Sequence, residues 1–184
     1  DFTINSIAQD MTGNRGIVDI FNGKQDIENR VIRFVGNPID RFYEDRLRLL
    51  RGYRLLSKLG KGWKFIDADF INSSISSSDL DLLSKERIRD EVMKIFQHNP
   101  CFALYHMPKW LQIYIFHEIL APQCNIEYHG HYHAEDIDQH MMITLSMAVR
   151  NTPKPLLRLA CFLHDVGKYC SREMNEFNFP TFSK

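Results

Sequence analysis

Residues 41 to 51 read Arg-Phe-Tyr-Glu-Asp-Arg-Leu-Arg-Leu-Leu-Arg, which places Arg41, Glu44, Asp45, Arg46, Arg48 and Arg51 within one predicted helix. Asn37 is a good N-cap, Pro38 suits the first helical position, and Asp40 adds negative charge to the first turn. The pattern predicts a helix that starts here and runs to about Leu59, before Gly60 and Gly62. On such a helix Asp45 and Arg48 stand i, i+3 on one face, flanked by Arg51 and Glu44. A carboxylate that accepts and a guanidinium fork that donates can together hydrogen-bond the edge of a nucleobase, while a further arginine meets phosphate oxygens. For an isolated Asp/Arg pair the commoner arrangement is a solvated salt-bridge face.

A second chemical signal lies near the C-terminal end. Residues 156 to 163, Leu-Leu-Arg-Leu-Ala-Cys-Phe-Leu, are apolar nearly all round and predict a buried helix, which ends in His164-Asp165-Val166-Gly167-Lys168. Imidazole and carboxylate suit Mg, Mn, Ni or Fe, and Gly167 lets the chain turn away so that both side chains can face one cavity. His140, on a helix predicted over 137–149, offers a third ligand from a neighbouring element. His129, His131 and His133 fall in a predicted loop, where imidazoles more often face solvent than ligate.

Ile17-Val18-Asp19-Ile20 and Val31-Ile32-Arg33-Phe34-Val35 read as strands that should complete a sheet, and the change of period near Gly36 marks a boundary. Beyond it the chain is helical. Residues 73–78 are serine-rich and read as a turn; Ser84 caps a helix whose Ile88, Val92, Ile95 and Phe96 form one apolar stripe. Residues 110–120, 137–149 and 156–165 supply further short helices.

With 184 residues the chain can bury a real core, and its 23 basic and 23 acidic residues exclude a global nucleic-acid signature. An RNA site would be a local patch, for which Arg41, Arg46, Arg48, Arg51 and Arg54 are candidates. No apolar run reaches membrane-spanning length and no signal peptide is visible. Cys101, Cys124, Cys161 and Cys170 lack CxxC spacing and read as reduced thiols of a cytoplasmic protein.

The ordered series Asp1-Phe2-Thr3-Ile4-Asn5, Ile17-Val18-Asp19-Ile20-Phe21-Asn22-Gly23, Asp26 to Arg33 and Glu44-Asp45-x-x-Arg48 closely resembles the class II tRNA nucleotidyltransferases, the CCA-adding enzymes, and their relatives the bacterial poly(A) polymerases. The resemblance implies that Asp45 and Arg48 pair with the base of CTP or ATP, that Arg51 contributes to the nucleotide site, and that Asp1 contacts the ribose. It also implies a triphosphate-cradling turn and an Asp-x-Asp pair binding catalytic Mg2+, both expected upstream of Asp1, so no catalytic carboxylate is assigned within the chain. The run from Leu83 to Glu91 resembles a body helix of the family and receives no catalytic role. His140 with His164-Asp165 resembles an HD domain, a metal-dependent phosphohydrolase fold defined by a His, a His-Asp pair and a later Asp. No aspartate follows Asp165; Glu173 or Glu176 would replace it only by accident of geometry.

These readings give a mainly α fold: the end of an α/β nucleotidyltransferase head over residues 1–36, a nucleotide-selecting neck over 37–62, a helical body over 63–128, and an incomplete HD domain over 129–184. The expected activity is CCA addition to tRNA from CTP and ATP by the longer protein, with Mg2+ in the head, a divalent metal (Mg, Mn or Ni) at the HD site, and this piece alone inactive. The alternatives are a poly(A) polymerase, which would not incorporate CTP, an HD phosphohydrolase, which would cleave phosphate esters without nucleotide transfer, and a non-catalytic RNA-binding piece.

Overall fold

Four aromatic side chains far apart in sequence meet at the centre of the first of two units in the computed structural model, which describes residues 1–12, 16–116, 137–165, 172–174 and 180–182. Phe2 stacks on Phe34 with ring centroids 4.7 Å apart, and Phe65 meets Phe2, Phe34 and Tyr53 at 6.0, 5.6 and 5.6 Å. All four are buried, and each such side chain contributes on the order of 1.5–3 kcal/mol of apolar burial.

The elements of this unit, Asp1–His98, are arranged to supply those rings. A 3-10 turn at Thr3–Asn5 leads into a two-stranded antiparallel ribbon of β1 (Ala8–Gln9) and β2 (Ile17–Val18). Helix α1 (Gly23–Glu28) follows, with its first amides held by Asp19, whose carboxylate accepts from Gly23 N and Lys24 N at 2.8 Å each. β3 (Val31–Ile32) then pairs in parallel with β4 (Lys64–Phe65), and Phe34 forms a single bridge to Phe2. Among the described residues the predicted strands therefore make separate two-residue pairs and do not complete one sheet. Each is too short for a sheet of its own, and the apolar residues of β3 pack on helices instead.

Helices α2 (Pro38–Glu44) and α3 (Arg48–Leu59) replace the single helix that the sequence predicts. The start is as expected: Asn37 Oδ1 accepts from Ile39 N at 2.9 Å and Asp40 N at 3.4 Å. The interruption is at Asp45, whose backbone is extended (φ −151°, ψ 101°). Past it, α3 buries Leu49, Leu50, Tyr53, Leu55 and Leu56 and presses the bare backbone of Gly52 against the Phe65 ring. α4 (Ala68–Ser74) is joined to β3 through Asp67, whose carboxylate accepts from Phe34 N at 2.7 Å; burial pushes that carboxyl up from its usual range. A short 3-10 turn at Ser77–Leu80 opens with Ser76 N donating to Asp79 Oδ2 at 2.8 Å. α5 (Lys85–Gln97) starts at Ser84, whose Oγ accepts from Arg87 N, and buries Val92, Ile95 and Phe96, with Ile88 at the margin. Ser57 Oγ donates to the Ile95 carbonyl at 2.8 Å, so α3 and α5 are pinned by a buried polar bond as well as by apolar packing.

The second unit, Asn99–Lys184, begins with α6 (Pro100–His106), capped by Asn99, and α7 (Lys109–Ile115). Residues 117–120 of the predicted helix over 110–120 lie outside the described residues. α8 (Ile137–Asn151) buries Met141, Leu145 and Ala148 on one stripe and packs against α9 (Pro155–Phe162). The buried Arg158 of α9 closes the end of α8, donating from Nε to Thr152 O at 2.8 Å and from Nη2 to Val149 O at 3.3 Å. β5 (Arg172–Met174) and β6 (Pro180–Phe182) pair antiparallel.

One expectation fails here: α9 is not buried all round. Leu156 is 70 % and Leu157 48 % exposed, because α9 packs by the face that carries Arg158 and Phe162 and turns its first-turn leucines outward. Cys101 and Cys161 are free, half-buried thiols; Cys124 and Cys170, like His129, His131, His133, Gly167 and Glu176, lie outside the described residues. Among the described residues no helix is long and apolar enough to cross a membrane.

Two outcomes test this packing. Gly52→Ala would gain about 1 kcal/mol in an exposed helix, but here the added methyl falls inside the Phe65 ring, so chemical denaturation should show a net loss of roughly 1–3 kcal/mol. Burial pushes the Tyr53 hydroxyl, which accepts from Asn72 Nδ2 at 3.0 Å, up from 10.0 to about 12. The neutral phenol therefore adds stability that is complete below pH ~10 and drains away as pH rises through ~12. Tyr53→Phe should be less stable at neutral pH, and its deficit against wild type should close by about 2 kcal/mol between pH 9 and 12; a deficit that stays constant would contradict the assignment.

Candidate functional site

Asp45 carries the first site because it is where one helix stops and the next starts. Its amide still donates to Arg41 O at 3.4 Å, its own carbonyl accepts the first bond of α3 from Arg48 N at 3.0 Å, and its Oδ1 accepts from Leu47 N at 3.2 Å. This is the Asx geometry in which an aspartate side chain imitates a backbone turn. The i, i+3 helical relation between Asp45 and Arg48 is thus not what the chain adopts. The residues still share a site, because the break turns Asp45 toward α3.

From Asp45 the charges alternate along a continuous line. Arg87 Nη2, from α5, donates to Asp45 Oδ1 at 3.0 Å, and Arg51 Nη2 pairs with Asp45 Oδ2 at 3.3 Å. Arg51 Nη1 donates to Asp1 Oδ2 at 2.8 Å, and Arg48 Nε to Asp1 Oδ1 at 2.9 Å. Arg48 Nη1 continues to Glu44 Oε2 at 2.6 Å and to the Arg41 carbonyl at 2.8 Å, and Arg41 Nη2 closes on Glu44 Oε1 at 2.6 Å. The structure therefore joins Asp1, Asp45, Arg48 and Arg51 in one cluster, with Asp45 and Arg48 linked through Arg51 and Asp1. The hydrogen bond from Arg48, aided by the Arg41 charge, holds the Glu44 carboxyl below its usual range.

Four guanidiniums face three carboxylates along this line, which leaves an excess of positive charge on a partly exposed surface. Such a surface can accept a phosphate, and it presents acceptor oxygens beside donor nitrogens for a base edge. Two arginines of the predicted patch are engaged elsewhere: Arg54 pairs with the buried Glu91 at 3.0 Å, and Arg46 lies over the Tyr43 ring at 5.5 Å. Sequence reasoning missed Arg87. Its signal was the Ser84 cap, which fixes where the first turn of α5 begins and hence which way Arg87 leaves it.

The second site is in the other unit. His140 Nε2 lies 3.3 Å from His164 Nε2 and 3.3 Å from Asp165 Oδ2, and His164 Nε2 lies 3.2 Å from the same oxygen. These three ligand atoms form a nearly equilateral set, one from α8 and two from the turn after α9. His164 Nδ1 sits 2.9 Å from the Cys161 carbonyl. A carbonyl only accepts, so Nδ1 carries the proton and the lone pair of a neutral His164 lies on Nε2, facing the other two ligands. Two imidazoles and a carboxylate in this arrangement suit a divalent transition metal with coordination positions left open. The donor set thus fits a metal without a fourth protein ligand. Glu173 belongs to β5 and is described only as backbone.

With this geometry in hand, similarity to known proteins is specific. Residues 1–33 match the family model of the poly A polymerase head domain. The chain is 47% identical over 100 residues to a CCA-adding enzyme of Staphylococcus epidermidis, covering 54% of this chain and 24% of that protein. It is 30% identical over 177 residues to a multifunctional CCA protein of Xylella fastidiosa, covering 91% of this chain and 41% of that protein. In fold it is similar to a Thermotoga maritima CCA-adding enzyme complexed with tRNA, with a TM-score of 0.60 at 19% identity, covering 92% of this chain and 42% of the other. The chain thus spans less than half the length of each of these relatives. The ordered motifs, the head-domain match over its first residues and the sustained identity along its length make this chain a member of the class II CCA-adding enzyme family.

Proposed function

We propose that the protein carrying this chain is a template-independent nucleotidyltransferase that adds CCA to tRNA 3′ ends from CTP and ATP, in the cytoplasm, and that this chain supplies its base-reading surface. The observation that carries the reading is the line of charges through Asp45, Arg51, Asp1 and Arg48. Asp45 offers an acceptor oxygen to the amino group of cytosine or adenine, Arg48 and Arg51 donate to ring nitrogens and phosphate oxygens, and Asp1 faces the ribose. Protein side chains thereby replace a nucleic-acid template. Mg2+ held by carboxylates outside this chain would supply the charge neutralisation that phosphoryl transfer requires. The division into head (1–36), neck (37–62), body (63–128) and HD portion (129–184) belongs to the same proposal. A poly(A) polymerase is the second reading, favoured by the head-domain match alone, and CTP incorporation separates the two.

His140, His164 and Asp165 would hold a divalent metal such as Mn, Ni or Mg, which when bound supplies Lewis-acid activation of a phosphate ester. The chain's own part is to keep the three ligand atoms together and to fix the His164 tautomer through the Cys161 carbonyl.

In the protein that carries this chain, Asp45→Ala or Arg48→Ala should reduce discrimination of CTP and ATP from UTP and GTP by about 1–3 kcal/mol. Kinetics of incorporation with each nucleotide measure this, and unchanged selectivity in both variants would sink the assignment. For the second site, Mn2+ or Ni2+ should raise the melting temperature of this chain, by about 2.7 kcal/mol of stability at a hundredfold excess over Kd. His140→Ala and Asp165→Ala should abolish the shift; if they leave it intact, the metal binds elsewhere.

A further inference from the structure

Arg87 enters the base-reading surface from a different helix than every other member. Asp45 Oδ1 takes two donors, Leu47 N at 3.2 Å and Arg87 Nη2 at 3.0 Å, which uses both lone pairs of that oxygen. Among the described residues Oδ2 has one partner, Arg51, at 3.3 Å. The χ2 torsion of an aspartate is soft, so the single bond from Leu47 N does not by itself hold the carboxylate plane at one angle. The guanidinium from α5 supplies the second hold. Its own position is set by the Ser84 cap at the start of α5 and by the packing of Val92, Ile95 and Phe96. Arg87 is 49 % exposed in its side chain, and a pair this accessible adds at most about 1 kcal/mol to folding. Its contribution is one of direction more than of stability.

We propose that Arg87 is a positioning residue for base selection: by occupying Asp45 Oδ1 it presents Oδ2, beside Arg51, as the single oxygen that accepts from the base. The inference rests on the reading that Asp45 reads the base. Cytosine and adenine carry an amino donor at N4 and N6, where uracil and guanine carry a carbonyl oxygen. A fixed, ionised acceptor takes the first pair and repels the second. A carboxylate free to rotate can instead turn Oδ2 away or draw in a water, and selectivity falls.

The test uses Arg87→Ala, Arg87→Lys, Asp45→Asn and the Arg87→Ala/Asp45→Asn double variant of the protein that carries this chain. Incorporation of CTP, ATP, UTP and GTP at a tRNA 3′ end is measured together with thermal melting. Arg87→Ala should lower discrimination against UTP and GTP roughly tenfold at an unchanged melting temperature, and Arg87→Lys should restore most of it. In the Asp45→Asn background the loss of Arg87 should have no further effect. If Asp45→Asn destroys selectivity while Arg87→Ala keeps it, the reading of Asp45 stands and the role of Arg87 falls. An equal loss for all four nucleotides accompanied by a lower melting temperature assigns Arg87 to the fold instead, as does an undiminished effect in the Asp45→Asn background. Retained selectivity in Asp45→Asn removes the base-reading assignment, and the proposal with it.

Discussion

The contact between the Phe65 ring and the bare backbone of Gly52 sets the position of α3, and most of the first unit follows from it. Because no Cβ intervenes, the helix sits directly on the aromatic cluster of Phe2, Phe34, Phe65 and Tyr53, and its buried stripe of leucines is committed to that side. Arg48 and Arg51 must then leave the helix on the other side, while Arg54 is directed at Glu91 of α5. The arginines of α3 are thus sorted by the packing of their apolar neighbours: two toward the line of charges that includes Asp1, one toward a structural ion pair.

Magnitudes separate what holds the fold from what holds the site. Exposed ion pairs contribute about 0–1 kcal/mol each, whereas each buried aromatic contributes about 1.5–3 kcal/mol. The charges along Arg87, Asp45, Arg51, Asp1, Arg48, Glu44 and Arg41 therefore add little to folding beyond what the core provides. Their effect is geometric, since every carboxylate in the line is held by more than one donor, and Arg48 and Arg51 each bridge two carboxylates. Loss of one member should disturb direction before it disturbs stability.

The sequence makes the caps and apolar stripes legible because they are local. Asn37 with Pro38, the Ser84 cap and the Ile88, Val92, Ile95, Phe96 stripe each depend on residues within one or two turns; both caps form as read, and the stripe is buried except at Ile88, which is half-buried. The break at Asp45 was not legible. No glycine or proline marks it, and the aspartate that ends α2 is also a plausible helix residue when read in isolation. The weak helix preference of aspartate and its strength as a cap were the available signals. Arg87 escaped for a different reason: its partner is 42 residues away, and no periodicity within α5 reports a contact with the α2–α3 break. The exposure of Leu156 and Leu157 shows the converse, since apolar composition does not ensure burial and the packed face of α9 is defined by Arg158 and Phe162.

Equal numbers of acidic and basic residues bear on how such a site captures an anionic ligand. With no net charge this chain adds no monopole attraction for a polyanion, and beyond about 8–10 Å salt screens the field of its separate charges. Attraction must come from the local excess of guanidiniums, which acts only once a phosphate is within that distance. Within it, the same arginines are already bound to carboxylates, so an incoming phosphate competes with Asp1 and Glu44 for donors on Arg48 and Arg51. Net affinity is then the difference between two sets of charge-assisted bonds, and it is small by construction. In the proposed base-reading role, discrimination would not suffer the same cancellation, because the displaced carboxylates would be the same whichever nucleotide arrived. A surface of paired charges is for that reason better suited to choosing between bases than to binding any one of them tightly.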